Sequence, residues 1–383
     1  MKALSVMFAV QGEGRGHLTQ AISMYELLTR NGFEVCCVVV GGSSRRELPE
    51  FFKKSFNEPV VPMKSPNFFM DRHGRGIHMG RTLIKNLLML PEYIRSVRLF
   101  KRLVDFHEPD LILNFYEPLV GLYAGSYSGH PPVVCIAHQY SYLHPEHRFP
   151  LSKSLHKLGI LAYTKLTKLG SNSCLAISLS DSGSCPRKKL YTVPPILRRE
   201  LLSLHSRDEG YLLVYLVNSG YMKDILEWHR ENPEVHLRCF TDSREVREEH
   251  FGYWQVDSKL SFHSLDGTVF LEQLAGCSGL ATTAGFETVC EAMFLGKPIF
   301  MVPVKGHFEQ RCNAMEAQEA GAGLQGSTFD MNQLINITRS GHHIPDQYRD
   351  WVLSCPDRLL SFLHGFLPKP HTVDGPYLFQ EAV

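Results

Sequence analysis

Two glycine-containing turns carry the residues best suited to chemistry in this 383-residue chain. The first turn, Gly-Glu-Gly-Arg-Gly-His at positions 12–17, directly follows the apolar run 4–10. Glycines let the backbone turn sharply and approach a ligand, and the amino end of a following helix favours negative charge. An imidazole accepts a proton near neutral pH, so His17 could act as a general base. The alternative is that His17 only caps the helix or hydrogen-bonds the turn.

Two better-known phosphate motifs fit this first turn poorly. A dinucleotide-binding fingerprint needs a third glycine where His17 stands and an acidic residue at the end of the second strand, which instead ends in Val40-Gly41-Gly42. A P-loop needs Gly-Lys followed by Ser or Thr, and no such triplet follows. The sequence therefore favours neither motif.

The second turn lies at the end of an apolar strand near position 282, where Gly285 opens a helix that carries Glu291. Backbone amides at such a helix start suit a diphosphate, and a carboxylate further along can accept hydrogen bonds from a ribose diol. The loop after the next strand brings His307, Glu309 and Gln310, which could hold sugar hydroxyls. Glu287, in the same helix, fits a solvated helix charge as well as a functional group.

The order of apolar runs predicts how these turns are held. Short continuous apolar strands alternate with helices, which indicates a parallel sheet covered on both faces, and the pattern restarts near position 211. The Pro194-Pro195 pair marks the boundary. We predict an α/β protein with two Rossmann-like doubly wound domains, 1–195 and 196–343, and helices in 344–383 that pack back on the first. Ligands of such sheets bind at the carboxyl ends of the strands, in the cleft between the domains.

Composition limits the class of protein. The chain is 44% hydrophobic and 21% charged with a net charge of +1, which is typical of a soluble globular protein and gives no general attraction to nucleic acid. Its ten cysteines show no Cys-x-x-Cys spacing, which argues against a zinc site or a disulfide framework. The apolar start continues into the glycine turn rather than a cleavage site, and no apolar stretch approaches the length of a spanning helix. We therefore expect a cytoplasmic protein.

The segment from about Thr282 to Gly321 resembles the donor motif of GT-B glycosyltransferases, particularly family 28, the related UDP-glucuronosyltransferase-like proteins and a bacterial group of GT-B proteins. The turn that ends in His17 also matches the pattern of these enzymes. The resemblance implies a GT-B fold, with the Gly285 helix facing the diphosphate, Glu291 binding ribose, and the Glu309-Gln310 pair and Asn313 contacting the donor sugar.

The resemblance also implies the reaction: transfer of a sugar from a nucleoside diphosphate sugar, expected to be a UDP-sugar, to an acceptor hydroxyl. No Asp-x-Asp occurs in the chain, so we expect an inverting, metal-independent transfer with His17 as base, no cofactor, and a leaving diphosphate stabilised by fixed dipoles. The donor side is predicted to comprise Ser219, Gly220, Phe262, Thr283, Gly285, Phe286, Glu291, His307, Glu309, Gln310 and Asn313. The acceptor side is predicted to comprise Gly14, Arg15, Gly16, Glu117, His138 and Gln139. The alternative for Glu117, His138 and Gln139, which each follow a strand, is that they satisfy the backbone of their turns.

The acceptor is indicated only by a basic, apolar segment between Lys64 and Arg102. Such a segment could rest on an anionic membrane, at its inner face, or receive a lipid-linked substrate, which would suit synthesis of a cell-envelope polysaccharide or glycolipid. A solvated basic helix beside a core stripe explains it equally well. Two other functions share this architecture: a sugar-nucleotide 2-epimerase, and a non-catalytic protein that binds a nucleotide sugar.

Overall fold

The computed structural model describes residues 3–43, 48–67, 79–151, 155–216 and 219–366. Within these ranges the chain forms two seven-stranded sheets, one in each half. The strands of the first sheet are β1 Ser5–Gln11, β2 Glu34–Gly42, β3 Val60–Lys64, β4 Leu111–Phe115, β5 Val133–Ala137, β6 Ser173–Ile177 and β7 Leu190–Val193. Those of the second are β8 Leu212–Leu216, β9 Leu237–Thr241, β10 Tyr253–Gln255, β11 Leu260–Ser264, β12 Gly279–Thr282, β13 Ile299–Met301 and β14 Gly323–Gln325.

Helices separate the strands and cover the sheets. In the first half they are α1 Arg15–Arg30, α2 Glu50–Lys54, α3 Met79–Leu88, α4 Leu90–His107, α5 Pro118–Ser126 and α6 Leu155–Thr167, with a 3₁₀ turn at His138–Leu143. The second half contains α7 Arg199–Leu202, α8 Met222–Glu231, α9 Gly267–Gly276, α10 Phe286–Phe294, α11 Phe308–Glu319, α12 Met331–Arg339, α13 Asp346–Leu353 and α14 Cys355–His364.

Both sheets are doubly wound. The strand orders are β3-β2-β1-β4-β5-β6-β7 and β10-β11-β9-β8-β12-β13-β14, and every pairing is parallel except that of β10 with β11. Strands β4, β5 and β6 are buried at every position, as their continuous apolar sequences require when helices cover both faces. The predicted pair of Rossmann-like sheets is confirmed. Strand order reverses between β1 and β4 and between β8 and β12, which is where such sheets bind ligands.

The last two helices contact both halves. The Trp351 indole N–H donates to the Ser178 carbonyl at 2.9 Å, and the His364 ring stacks on Phe33 at 5.6 Å, both in the first half. The Tyr348 hydroxyl donates to the Cys290 carbonyl at 3.1 Å in the second. One buried hydrophobic cluster accordingly runs through both sheets and these helices.

Two further features of the described ranges concern membrane-spanning helices and disulfide bonds. No helix there combines the length and the apolar character needed to cross a membrane. All ten cysteines carry free thiols, eight of them buried.

Candidate active site

The turn between β1 and α1 is held by close backbone contacts. The Gly12 N–H donates to the Gly41 carbonyl at 2.7 Å, and a Cβ on Gly12 would lie 2.8 Å from a Val40 methyl, so only glycine fits without a shift. The Gln11 side-chain oxygen accepts from the N–H groups of Glu13 and Gly14 at 3.1 and 3.3 Å. The turn is therefore fixed before any ligand arrives.

His17 lies in the first turn of α1 and faces the end of β4. Its ring stacks on Tyr116 at 5.4 Å, and Tyr116 has a left-handed backbone with φ of 62°. The Nδ1 atom of His17 is buried and has no hydrogen-bond partner among the residues described. Burial lowers the pKa of His17, against opposing effects of Glu309 and Gln20. A neutral imidazole with an unsatisfied nitrogen can accept a proton at pH 7.

The turn between β12 and α10 has the features of an anion-binding helix start. Ala284 has a left-handed backbone with φ of 60°, and Gly285 is the N-cap of α10 without a side-chain cap. Among the described residues, no atom beyond the chain neighbours of Gly285 lies within 4 Å of the position that a Gly285 Cβ would take. The Asn313 side-chain N–H donates to the Ala284 carbonyl at 3.1 Å. The first amides of α10 are thus presented beside open space.

Both turns lie at the junction between the two halves. The ring of Phe286, the first residue of α10, stacks on His138 of the first half with centroids 3.8 Å apart. The Gln20 side-chain amide, one turn into α1, donates to the Glu287 carboxylate. Burial raises the pKa of Glu287 to about 8, so this carboxyl is not a solvated helix charge. The amino ends of α1 and α10 therefore face each other.

The predicted sugar-binding loop reaches the same junction. The Gln139 side-chain amide donates to the Glu309 carboxylate at 2.9 Å, and His138 Nε2 lies 3.4 Å from the Glu316 carboxylate. His138 Nδ1 is 2.9 Å from the Ile177 carbonyl. Glu309 thus lies between the donor side and the acceptor side of the cleft, close enough to His17 to act on its charge.

Unsatisfied polar atoms concentrate at this junction. In the described part of the chain, the buried side-chain atoms there without a hydrogen-bond partner belong to His17, Gln20, His138, Gln139, Ser141, Tyr142, His147, Thr282, Thr283, Asn313 and Glu316. Buried polar groups in native proteins are nearly always hydrogen-bonded, so a cluster without partners indicates a place for a polar ligand.

Glu291 has a partner that the sequence did not reveal. Its buried carboxylate accepts from Arg198 Nε at 2.7 Å and lies 2.6 Å from Arg198 Nη2, both contacts through Oε1. Its other oxygen receives no hydrogen bond from any residue in the described ranges. Burial raises the pKa of Glu291, and Arg198 opposes this shift. The only signal for Arg198 was its place three residues after the Pro-Pro boundary.

Several predicted residues serve the scaffold. The Glu117 carboxylate caps α5 through the Leu119 N–H at 2.9 Å and accepts from the Ser65 hydroxyl at 2.5 Å; burial raises its pKa to about 8. This geometry favours the alternative that Glu117 satisfies the turn. Phe262 is fully buried, with its ring on Trp254, and its backbone lies in β11 between β9 and β10, so Phe262 serves the sheet.

The remaining predicted donor residues hold their own turns. His307 is the N-cap of α11, accepting from the Gln310 N–H at 3.3 Å, and Gln310 Oε1 accepts from the Val304 N–H at 2.8 Å. Ser219 and Gly220 begin a 3₁₀ turn shortly after β8. Residues 68–78 of the predicted basic and apolar segment lie outside the described residues. No group of three or more His, Cys, Asp or Glu in the described structure is placed to hold a metal ion.

A sequence model of the family described as glycosyl transferase family 1 matches residues 4–338. No curated protein matches the chain. Among solved structures, the glycosyltransferase of kitacinnamycin has a TM-score of 0.62 at 14% identity over 96% of this chain and 100% of its own. The calicheamicin glycosyltransferase CalG4 scores 0.59 at 14% over 97% and 100%, and Acinetobacter baumannii MurG scores 0.56 at 15% over 95% and 99%. The likeness confirms the predicted GT-B fold.

Proposed function

The chain belongs to glycosyl transferase family 1, and we propose that this glycosyltransferase transfers a sugar from a UDP-sugar to an acceptor hydroxyl, with inversion and without a metal ion or cofactor. One observation carries the proposal: two helix starts face each other across a junction that also holds a neutral histidine and a cluster of unsatisfied polar atoms. Polar ligands satisfy such groups, and helix amino ends favour anions.

The donor would lie on the second half. Its diphosphate would accept from the amides at the Gly285 end of α10, near the Thr283 hydroxyl. Its ribose would donate to Glu291 through the oxygen that Arg198 leaves available. Glu309, Gln310 and Asn313 would contact the sugar, and the open side-chain oxygen of Asn313 suits this role. The choice of uridine rests on family resemblance.

His17 would act on the acceptor. The acceptor oxygen attacks the anomeric carbon, the bond from that carbon to the diphosphate oxygen breaks with its electron pair left on the diphosphate, and the acceptor proton passes to His17. Attack from the face opposite the leaving group inverts the configuration. The burial that lowers the pKa of His17 keeps the imidazole neutral and ready to accept this proton.

A panel of nucleotide sugars tests the donor proposal. A donor present at about 100 times its dissociation constant should add about 2.7 kcal/mol to the stability of the protein, a shift that thermal unfolding detects. If no UDP-, dTDP-, GDP- or ADP-sugar shifts the transition, the proposal is wrong. Incubation with the donor alone separates a transferase from an epimerase, because only an epimerase would release an isomer of the donor.

His17→Ala tests the base. Turnover should fall by about 10²-fold or more while donor affinity stays close to wild type. His205→Ala is the matched control, since His205 is an exposed histidine far along the chain from both turns. Equal turnover of His17→Ala and the control would remove His17 from the mechanism.

We also propose that the acceptor is presented at an anionic membrane surface, because α3 turns polar side chains toward the protein and exposes its apolar side chains. Its inward face carries Thr82 and Asn86, whose side chain donates to the Thr82 and Asn67 carbonyls at 2.9 Å. Its outward face and the start of α4 expose a stripe of apolar residues: Leu83, Ile84, Leu87, Leu88, Leu90 and Ile94. Exposed arginines follow on α4 at Arg95, Arg98 and Arg102. Apolar side chains beside cations suit a membrane rich in anionic lipid.

Vesicle sedimentation tests this surface. The wild type should bind phosphatidylcholine vesicles containing phosphatidylglycerol more strongly than vesicles of phosphatidylcholine alone, and Leu87→Gln/Leu88→Gln should lose this binding. Leu353→Gln, at a half-exposed leucine of α13, should not. Binding that is equally strong for both variants, or absent in the wild type, would refute the membrane proposal and leave the donor proposal intact.

A further inference from the structure

Arg15 stands at the amino end of α1 in an unusual setting. It is exposed, it is flanked by Gly14 and Gly16, and its carbonyl accepts from the Thr19 hydroxyl at 3.1 Å. Its guanidinium forms no hydrogen bond or ion pair with the residues that the structure describes. Arginine side chains at protein surfaces usually find a carboxylate or water, and this one projects from a turn whose backbone is already fixed by Gln11.

The amino end of α1 lies against the second half. A Cβ on Gly16 would come within 3.3 Å of the Glu287 side chain, and Gln20, one turn further, bonds to the same carboxylate. Arg15 precedes both residues, so its side chain starts where α1 meets α10. Burial raises the pKa of Tyr215 near the end of β8, and the charges of Arg15 and Arg198 both oppose that shift, which agrees with their positions near this strand end.

The charges at this junction are unbalanced. Arg198 is neutralised by Glu291 at 2.6 Å. The amino ends of α1 and α10 both carry positive partial charge, and the raised pKa of Glu287 keeps its carboxyl largely protonated at pH 7. Arg15 therefore adds a full positive charge that no described carboxylate balances. The hydroxyls of Thr282 and Thr283 and the side-chain oxygen of Asn313 are buried there without hydrogen-bond partners, an independent sign that a ligand occupies this place.

We propose that Arg15 binds the diphosphate of the donor from the first half, opposite the amino end of α10. The inference rests on the proposed function and moves Arg15 from the acceptor side, where sequence reasoning put it, to the donor. The planar guanidinium can donate two parallel hydrogen bonds to phosphate oxygens, and the flanking glycines leave room for a ligand to approach the turn.

Arg15 would then act on the leaving group. As the bond between the anomeric carbon and the diphosphate oxygen breaks, the electron pair remains on that oxygen and its negative charge grows. A cation fixed beside it stabilises the transition state more than the ground state, which is the role that a metal ion fills in other transferases. Because Arg15 belongs to the first half and α10 to the second, bound diphosphate would also hold the two halves together.

Calorimetric titration tests the proposal. UDP, dTDP, GDP and ADP are first titrated into the wild type, and the tightest of these is compared with its parent nucleoside in Arg15→Gln, Arg15→Lys and Arg30→Gln. Arg30, at the other end of α1, is exposed and pairs with Glu26 at 3.4 Å, so it is a matched control. Arg15→Gln should weaken diphosphate binding about tenfold or more and leave nucleoside binding within about twofold.

Arg15→Lys should lie between wild type and Arg15→Gln, because it keeps the charge but loses the paired donors. Diphosphate affinity in Arg15→Gln equal to that in Arg30→Gln overturns the proposal while the proposed function stands. A wild type that binds none of the four diphosphates refutes the proposed function, and this inference falls with it. Equal loss of nucleoside and diphosphate affinity in Arg15→Gln would also overturn it, since a damaged site rather than a lost phosphate contact would be the cause.

Discussion

Replacing Arg198 with alanine should destabilise the protein strongly, because it leaves a buried carboxylate without its counter-charge. The Glu291 side chain is 3% exposed and that of Arg198 23%, and the two groups are joined at 2.6 and 2.7 Å. Removing one partner of a buried ion pair costs about 3–5 kcal/mol. For a folding unit of about 150–250 residues this corresponds to a fall in melting temperature of roughly 10 °C.

The penalty should depend on pH with a definite sign. Burial raises the pKa of Glu291 above its usual value of 4.5, and Arg198 is the group that opposes the shift. Without Arg198 the folded-state pKa rises further, whereas the unfolded chain keeps the ordinary value. Stability of Arg198→Ala should therefore be least affected near pH 5, where the carboxyl can remain protonated, and should fall as pH rises through the raised folded-state pKa.

Urea unfolding of a double-mutant cycle measures this directly. Arg198→Ala, Glu291→Gln and the double variant are compared at pH 5 and pH 8, and the double variant should recover most of the loss seen in Arg198→Ala. Arg207→Ala is the control, because Arg207 and its partners Glu209 and Glu272 are half-exposed, so the loss of these surface pairs should cost much less stability than the loss of Arg198. If Arg198→Ala costs no more than this control, or costs the same at both pH values, the reasoning is refuted.

Two other predictions follow from buried groups. Because burial lowers the pKa of His17, kcat/KM should stay high on the acid side until pH falls below the usual histidine value of 6.5, and a profile that already declines above pH 7 would contradict its role as base. Gly41→Ala should destabilise the first half by about 1–3 kcal/mol, because the Cβ of the new alanine would overlap the Glu117 carboxylate. Adding Glu117→Ala to the same chain should remove this overlap and restore part of the stability. Melting curves in which the double variant is no more stable than Gly41→Ala would contradict this account.

The sequence predicted those parts of the fold and site that are encoded locally. Continuous apolar strands such as Leu111–Phe115 predicted parallel sheets covered on both faces, and the glycines near His17 and Gly285 marked turns that the structure places face to face. Each of these features depends on neighbours within about ten residues.

Contacts between distant residues could not be predicted in the same way. Arg198 meets Glu291 across 93 positions, and Gln20 meets Glu287 across 267. Glu117 was assigned to the acceptor side from its place after a strand, but burial and the cap of α5 depend on how Gly41 and Ser65 pack against it. Which residue lies on which side of a cleft depends on tertiary packing.

The residues with left-handed backbone after β4 and β12 lower the stability of the folded protein. Tyr116 and Ala284 each hold a side chain in a conformation that glycine adopts readily and that costs other residues about 1–2 kcal/mol. A glycine at either position would relax the backbone, but it would also free the chain to choose among more conformations. The enzyme is therefore less stable than its fold would allow. The strained conformations at Tyr116 and Ala284 hold the two strand ends, and the groups beside them, in one arrangement.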